Sequence, residues 1–438
     1  MSLAFGGTTP FTRQLTDLFL LISFGAWLVL LIAQRRLPRF PLFCLIPLFC
    51  LVLLGTIHWL NPKSVFYEKF WVFNPLDSHI NWLPGTFDKK ATGEVIWHLG
   101  ALLLGFLVLI DACKDGRARW LLLAGLALSG FAVALVGIYQ KASGTEFMLW
   151  MDEVYPKKLF FGAFRYHANA ASFLNLCWPA AFALFMRYRD LGKSGVGFSL
   201  WLIVFLITVS GVFVNTSKAG HALGCFGLVL ALLRFRSSIF TMIGSRVANV
   251  VSVLICVGLV GVLVLPALSL SWERWVDLFE HDYYRVRFHG YGICLPAVAD
   301  SGLTGFGPGT FSLVFPFYRD GTDEVFARIF WTHAHQDYLQ TIIEWGYAGM
   351  AAWLFFYAGA LWRGFSAMRF AARHDRMEYS VSCALIAISI LCLHAAMDFP
   401  FQIPAIQLPA ALYLAILWTA GRPKKSRLPV ARTKRALT

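Results

Sequence analysis

Apolar residues form long windows along nearly the whole chain, and short polar segments separate them. Each window holds about twenty residues, the length that an α-helix needs to cross a bilayer. The windows fall near 15–34, 41–60, 95–112, 120–139, 170–187, 198–216, 219–233, 247–268, 340–361, 380–397 and 404–420. The sequence lacks the alternating ten-residue segments of a transmembrane β-barrel. This pattern predicts an all-α, polytopic transmembrane bundle of about 11 to 12 spans.

The composition agrees with a membrane location. Of the 438 residues, 58% are hydrophobic and 14% are charged, whereas about 25% of the residues of a soluble domain are charged. The windows recur along the whole length, which favours one lipid-embedded bundle over several globular domains. The first window has no basic segment before it and no small-residue cleavage site after it, so we expect an uncleaved span.

Lys and Arg cluster in alternate links between the windows. Because such residues stay in the cytoplasm when they lie in short loops, these links predict the cytoplasmic side. The clusters are Arg35, Arg36 and Arg39; Lys114, Arg117 and Arg119; Arg187, Arg189 and Lys193; Arg234, Arg236 and Arg246; Arg363, Arg369, Arg373 and Arg376; and the tail after 421. The net charge of +14 is therefore read as a sign of membrane orientation rather than of nucleic-acid binding.

The opposite, outer side then receives the segments 61–94, 140–169, 269–339 and 397–405. The third is the longest, and long connections in compact proteins are usually functional. We expect three parts: N-terminal transmembrane helices with short outer loops over 1–268, a large outer loop over 269–339, and C-terminal transmembrane helices with a basic tail over 340–438.

Several cations lie on this outer side, against the usual bias. They are Arg165, Lys218, Arg285 and Arg287, and His167 lies close to the first of them. A cation at the outer interface costs desolvation unless an anion offsets it, and acidic neighbours are few. A diphosphate supplies that charge, and a planar guanidinium engages two phosphate oxygens at once. The alternatives are arginines that reach phospholipid headgroups and a Lys218 that only caps a short hairpin.

The stretch "WTHAHQDYLQ" places titratable groups at the mouth of a predicted span. The imidazole of His335 can accept a proton from a hydroxyl, and a nearby carboxylate such as Asp337 could orient it. Alternatively, "THAHQD" only caps the start of the helix. His333 and His335 at i, i+2 point to different helix faces with no cysteine nearby, so we expect no metal. A serine hydrolase is unsupported, because no Gly-x-Ser-x-Gly elbow is present.

Two further features have structural interpretations. The glycines of "LTGFGPGTF" predict a tight turn that redirects the loop, since no strand and acidic partner complete a nucleotide fingerprint. His98, His221 and His394 lie within or near spans, and we interpret them as interhelical contacts in preference to proton relays.

Several stretches together resemble the O-antigen ligase and O-antigen polymerase superfamily. "HQDYLQTIIEWGYAG" resembles its His-Asn-x-x-Leu-Gln pattern followed by Glu-x-Gly-x-x-Gly, and "RFHGYGICLPAVADSGLTGFGPGTF" is similar to the loop before it. "GAFRYHANAASFLNLCWPAA", "NTSKAG" and "HAAMDFPFQIPA" match further segments in the right order, from about 160 to 410. Gln336 stands where Asn is common, and Lys218 stands where Arg is common.

This resemblance implies a bacterial inner-membrane enzyme that moves a glycan from undecaprenyl diphosphate to an acceptor hydroxyl on the periplasmic side. The acceptor is lipid A core for a ligase and a growing glycan for a polymerase. The implied chemistry is inverting and needs no metal or cofactor. His335 is then the base or the residue that orients the acceptor, and Arg287 holds the departing diphosphate. Further diphosphate contacts fall to Arg165, Lys218 and Arg285, and supporting roles to His333, Asp337, His167 and Asn169.

Other function classes stay open from the residues alone. A transporter of lipid-linked glycan would also need outward cations, although it predicts an internal two-fold repeat, which the sequence does not show. An assembly protein without chemistry would use the histidine cluster only as a helix cap.

Overall fold

The computed structural model describes residues 5–149, 159–191, 195–245, 283–319, 331–370 and 377–421, together with isolated positions between 254 and 276. The predicted span 247–268 falls almost entirely outside these residues, as does the basic tail.

The described chain is predominantly helical, with one short hairpin, which confirms the predicted all-α bundle. Its helices are α1 (Pro10–Ala33), α2 (Leu42–Leu60), α3 (Lys89–Ala112), α4 (Gly116–Ser143), α5 (His167–Asp190), α6 (Gly195–Val214), α7 (Lys218–Ser245), α8 (Tyr283–Ser301), α9 (Phe311–Val314), α10 (Asp337–Phe370), α11 (Met377–Ala395) and α12 (Pro404–Thr419). Ten of the eleven predicted windows coincide with α1 to α7 and α10 to α12.

Seven of the helices in the described part are long and apolar enough to cross a membrane, namely α1 to α7. Helices α11 and α12 are apolar but shorter. Helix α10 has 34 residues, and its apolar run is rich in Trp, Tyr and Gly, which lowers its mean hydropathy. The chain is therefore a multi-pass membrane protein.

Helix α5 lies in the centre of the bundle, packed against α4, α6 and α11. Every residue of its apolar stretch is buried inside the protein. Its polar side chains find partners there: Ser172 Oγ lies 2.6 Å from His394 Nδ1, and Asn175 Nδ2 donates to Gly220 O at 3.0 Å. Because α5 meets protein rather than lipid, it can carry polar residues at a lower cost. Of the three histidines predicted as interhelical contacts, His98 and His394 make such contacts, with Asp17 and Ser172. His221 Nε2 instead lies 2.6 Å from Asn215 O, in the link before its own helix.

Three of the predicted basic clusters gather at one end of the bundle. Arg36 donates to both carboxylate oxygens of Asp111, at 2.9 and 2.6 Å, and this joins the ends of α1 and α3. The guanidinium of Arg187 lies 4.5 Å from the ring of Trp120, which joins the end of α5 to the start of α4. The starts of α5, α7, α10 and α12 therefore meet at the opposite end, here called the outer end.

The outer end carries an antiparallel hairpin between α2 and α3, which the apolar windows do not predict. It consists of β1 (Ser64–Tyr67) and β2 (Val72–Pro75). Phe73 of β2 packs its ring 5.5 Å from that of Phe317, and Phe87 N donates to Phe306 O at 3.1 Å. The hairpin segment is thus tied to the link between α8 and α10.

The segment after α8 is a tight turn, as its glycines predict. Gly305, Gly307 and Gly309 have φ of 81°, 112° and 80°, a region that only glycine occupies readily. A Cβ at Gly305 would lie 2.4 Å from the carbonyl oxygen of Glu344. The turn therefore needs glycine both for its backbone conformation and for its close approach to α10.

This turn packs against α10 at a kink in the helix, where Gly346 has a φ of 65°. Phe306 N donates to Ile343 O at 2.9 Å, and in return Ala348 N donates to Leu303 O at 2.9 Å. The turn thus supplies partners to backbone groups at the place where the helix is interrupted. It fixes the first turns of α10, and the candidate site lies just before them.

Candidate active site

The carboxylate of Asp398 is the centre of the candidate site. It lies in the link between α11 and α12, and only 3% of its side-chain surface is exposed. Its Oδ1 is 3.1 Å from His335 Nδ1, and its Oδ2 accepts a hydrogen bond from Tyr166 Oη at 3.1 Å. The guanidinium of Arg287 lies 3.5 Å from the same Oδ2. Four separate segments of the chain therefore meet at one carboxylate.

The charges around Asp398 keep it ionised. Burial by itself raises the pKa of this carboxyl, but the hydrogen bond from His335 and the charges of Arg287 and His335 lower it to about 2. Burial lowers the pKa of the Arg287 guanidinium. The neighbouring Tyr166 and Asp398 raise this pKa by more, so the net shift is upward. Both groups are therefore charged at neutral pH.

Arg287 is held by contacts beyond this ion pair. One terminal nitrogen donates to Met397 O at 2.6 Å, and the other donates to Tyr166 Oη at 3.0 Å. About a third of the side-chain surface stays exposed, at 35%. A guanidinium has five N–H donors, so some of them stay available to a ligand.

His335 is held in one orientation with one ring nitrogen free. Since an ionised carboxylate only accepts hydrogen bonds, Nδ1 carries the hydrogen and donates it to Asp398. Nε2 has no hydrogen-bond partner in the described part of the chain, and 24% of the side chain is exposed. The rings of Trp331 and Phe399 flank the imidazole at centroid distances of 5.3 and 4.9 Å. Nε2 can therefore accept a proton from a bound hydroxyl.

The backbone at His335 is strained. Its φ is 50°, the left-handed region, which costs a residue other than glycine of the order of 1–3 kcal/mol. Tyr291 Oη donates to the carbonyl oxygen of His335 at 2.7 Å and helps to fix this conformation. Such strain is common at functional sites.

Asp337 has a different set of contacts from those that its position in the sequence suggests. It is fully buried, and its two oxygens accept from Phe401 N at 2.8 Å and from Gln402 Nε2 at 3.1 Å. Its own N–H donates to Asp398 O at 3.2 Å. Asp337 thus holds the link that carries Asp398, and the carboxylate that contacts His335 is Asp398. The helix is capped by Gln336, whose side-chain oxygen accepts from Leu339 N at 2.5 Å.

His333 also contacts Phe399. Its ring stacks on that phenyl ring at a centroid distance of 4.4 Å. Burial, followed by the charges of His335 and Arg13, lowers the pKa of His333 to about 4. His333 is therefore neutral at physiological pH and can donate a hydrogen bond without adding charge.

The remaining predicted residues lie around this centre at the outer end. His167 begins α5, with its ring 4.9 Å from that of Tyr166. Asn169 is buried in the first turn of α5, and its N–H donates to Tyr166 O at 3.1 Å. Arg165 precedes Tyr166 directly and is exposed.

Lys218 begins α7 and is half-buried. The link before it contacts the start of α5, because Asn215 Nδ2 donates to His167 O at 3.0 Å. Arg285 lies in α8, two residues before Arg287, but its side chain is outside the described residues.

An apolar cavity of about 340 Å³ lies beside the site. It is lined by α2, α3, α10, α11 and α12, and its walls include Phe106, Trp353 and Leu414. Tyr338 and Phe401 line its outer part, next to Asp337 and the link that carries Asp398. The polar site and an apolar space of the bundle thus adjoin each other.

Comparison with known proteins supports the same family as the motifs. A family model described as O-antigen ligase matches residues 202–354, which run from α6 to the middle of α10 and include Lys218, Arg287 and His335. A search of curated proteins found no match. This match confirms the predicted resemblance to the O-antigen ligase superfamily, and it supports a membrane glycosyltransferase of the O-antigen ligase or polymerase type.

Proposed function

We propose that this chain transfers a glycan from undecaprenyl diphosphate to an acceptor sugar hydroxyl on the periplasmic face of the bacterial inner membrane. We further propose that it acts as a ligase, with lipid A core as the acceptor. The observation that carries the proposal is the shared carboxylate of Asp398, which places an imidazole with a free nitrogen next to a guanidinium.

His335 is the general base in this proposal. Its Nε2 takes the proton of the acceptor hydroxyl while that oxygen attacks the anomeric carbon of the donor sugar. The bond between that carbon and the phosphate oxygen breaks, and its electron pair leaves with the lipid diphosphate. Asp398 holds the tautomer and stabilises the imidazolium that forms, as a buried carboxylate does in a Ser-His-Asp triad. Attack from the side opposite the diphosphate inverts the anomeric carbon.

Arg287 offsets the negative charge that develops on the departing diphosphate. A preorganised donor of this kind is typically worth about 3 kcal/mol. Asp398 neutralises part of the charge of Arg287, so two phosphates need further cations. Arg165, Lys218 and Arg285 supply them in this proposal, and no metal ion is assigned a role.

The lipid part of the donor also has a place in this arrangement. Polyprenyl chains are apolar, and the cavity beside the site is lined mainly by apolar side chains. We assign the first isoprene units of the carrier to this cavity, with the diphosphate at Arg287. Phe401 and Tyr338 then lie at the boundary between the two parts of the donor.

One experiment tests the reaction and the type of acceptor together. Purified full-length protein is incubated with an oligosaccharide on undecaprenyl diphosphate, in the presence and in the absence of lipid A core. A product that forms only with the core supports the ligase, whereas a ladder of longer chains without the core identifies a polymerase. Failure to form any new glycosidic bond, with the donor bound, would contradict the proposal and favour a transporter.

A further inference from the structure

The first helix brings one more cation to the outer end, Arg13. The segment before α1 packs closely on two elements of the site. A Cβ at Gly6 would lie 2.8 Å from the ring of Phe164, and one at Gly7 would lie 3.0 Å from Pro404. Phe164 is two residues from Tyr166, and Pro404 starts α12 directly after the link that carries Asp398. The first turn of α1 is therefore held beside the site.

A buried chain of hydrogen bonds sets the face that α1 presents. Asp17 Oδ1 lies 2.5 Å from His98 Nδ1, and His98 Nε2 lies 2.7 Å from Gln407 Oε1. The amide of Gln407 donates to Phe401 O at 2.7 Å. The face of α1 that carries Asp17 thus points toward α3, α12 and the link 398–402.

Arg13 lies on this same face, one turn nearer the outer end. Residues i and i+4 are neighbours on a helix surface, separated by about 6 Å along the axis. Thr16, at i+3 from Arg13, is also buried. Arg13 therefore projects toward the part of the link that contains Phe399, on which His333 stacks.

The charge of Arg13 has no counter-ion in the described part of the chain. Its side chain is half-buried and makes no hydrogen bond or ion pair within the residues that the structure describes. After burial and the charge of His335, the charge of Arg13 lowers the pKa of His333, which agrees with this placement of Arg13 toward the link. An unpaired, half-buried guanidinium carries a desolvation cost that a bound anion offsets.

His333 is suited to share such an anion. Gln340 Nε2 faces its Nδ1 at 3.5 Å, an arrangement in which Nδ1 accepts and Nε2 carries the hydrogen. Nε2 has no hydrogen-bond partner among the described residues. One charged and one neutral donor thus lie near the part of the link that contains Phe399.

We propose that Arg13 and His333 form a second anion-binding position, which binds a phosphate of the lipid-linked substrates. The phosphate belongs either to the donor diphosphate or to the acceptor glycolipid, and the inference rests on the glycosyl transfer proposed above. Arg13 lies outside the residues that the family model matches. Helix α1 is then part of the substrate site as well as a membrane span.

The test uses Arg13→Gln in the full-length protein in nanodiscs, with two measurements. The first is binding of undecaprenyl diphosphate, which needs no catalysis and therefore stays informative even if the transfer proposal fails. The second is the KM for lipid A core, compared with the KM for the same core after phosphatase treatment. Loss of a charge-assisted phosphate contact should weaken one of these by roughly tenfold to a hundredfold.

Each outcome has a defined meaning. Weaker binding of undecaprenyl diphosphate assigns the position to the donor. A higher KM for the phosphorylated core, with no difference for the dephosphorylated one, assigns it to the acceptor. Unchanged values in both measurements overturn the inference.

Lys69→Gln is the matched control. Lys69 lies at the tip of the hairpin over the ring of Phe70, and its loss should change neither value. An equal effect of Lys69→Gln and Arg13→Gln would also overturn the inference, since it would indicate only surface charge. If Arg13→Gln proves unstable, Arg13→Lys keeps the charge and should recover part of the affinity. A stable Arg13→Lys protein that binds no better than Arg13→Gln would contradict the inference as well.

Discussion

The described part of the chain contains two histidine–aspartate pairs, His335–Asp398 and His98–Asp17, in different surroundings. Both use Nδ1 of the ring, at 3.1 and 2.5 Å from the carboxylate. In the second pair Nε2 contacts Gln407, and the His98 side chain is only 6% exposed. In the first pair Nε2 has no partner among the described residues, and the side chain is 24% exposed. A pair of this type serves catalysis only where the second nitrogen is left for a substrate; elsewhere it ties helices together.

The largest effect that separates the two pairs is expected for His335→Ala. Loss of a general base typically costs about a hundredfold or more in rate, while binding of the donor lipid should stay nearly intact. The measurement is transfer of oligosaccharide to lipid A core by purified protein. His79→Ala is the control, because His79 lies in the outer hairpin segment with its Nδ1 on Leu76 O. Full turnover by His335→Ala would remove this residue from the mechanism.

Arg287→Lys should have the next largest effect. A point charge cannot contact Met397 O, Tyr166 Oη and a phosphate together as a guanidinium can. We expect transfer to fall by roughly tenfold to a hundredfold, since hydrogen bonds to charged groups are worth about 1.5–3 kcal/mol. Arg36→Lys is the matched control, because Arg36 makes a paired contact with Asp111 at the opposite end of the bundle. Equal rates for the two variants would argue against a diphosphate contact at Arg287.

His98→Gln should mainly reduce stability. It leaves the buried carboxylate of Asp17 without its partner, which typically costs about 3 kcal/mol. Transfer per folded molecule should fall by less than about tenfold, because His98 reaches the link 398–402 only through Gln407. Thermal unfolding and the transfer assay on the same preparation give both values. Lost transfer at unchanged stability would reverse the comparison and give the interior pair a direct part in the reaction.

The smallest effect concerns the pH dependence of stability. Burial, with the charges of His335 and Arg13, lowers the pKa of His333 to about 4, against about 6.5 for an exposed histidine. The unfolded chain then binds the proton more tightly, so the folded protein loses stability as the pH falls from about 6.5 to about 4. In His333→Gln the unfolding temperature should change less between about pH 7 and pH 5. Parallel curves for the two proteins would rule out a buried, neutral His333.

The helices were predictable because each needs about twenty apolar residues to cross a bilayer, and such windows are local features of a sequence. The helix α8 in the outer loop and the kink at Gly346 were not predictable in this way. The kink depends on the turn 302–309, whose hydrogen-bond partners lie some forty positions along the chain. The glycines of this turn did predict its shape, because a positive φ is a property of the single residue and is readily adopted only by glycine.

The site was predictable in part. The histidines and the outer arginines could be selected because titratable groups at the mouth of a span carry a cost. The sequence does not indicate Asp398 and Tyr166, because their contacts join residues that are far apart in the chain. Asp398 is 63 positions from His335 and 111 positions from Arg287. One signal was present: "MDFPFQIPA" holds a single acidic residue in an otherwise uncharged outer link. Asp337 was selected as the partner of His335 because it is near in sequence, but the fold turns it toward Phe401 instead.

The central claim is that Asp398 acts through His335, and a double-variant cycle tests it most directly. Transfer rates are measured for Asp398→Asn, His335→Ala and the protein with both changes. Groups that act as a unit are strongly non-additive. We predict that adding Asp398→Asn to His335→Ala slows transfer far less than Asp398→Asn does in the intact protein. If the two losses multiply in full, Asp398 does not act through His335, and the account is contradicted.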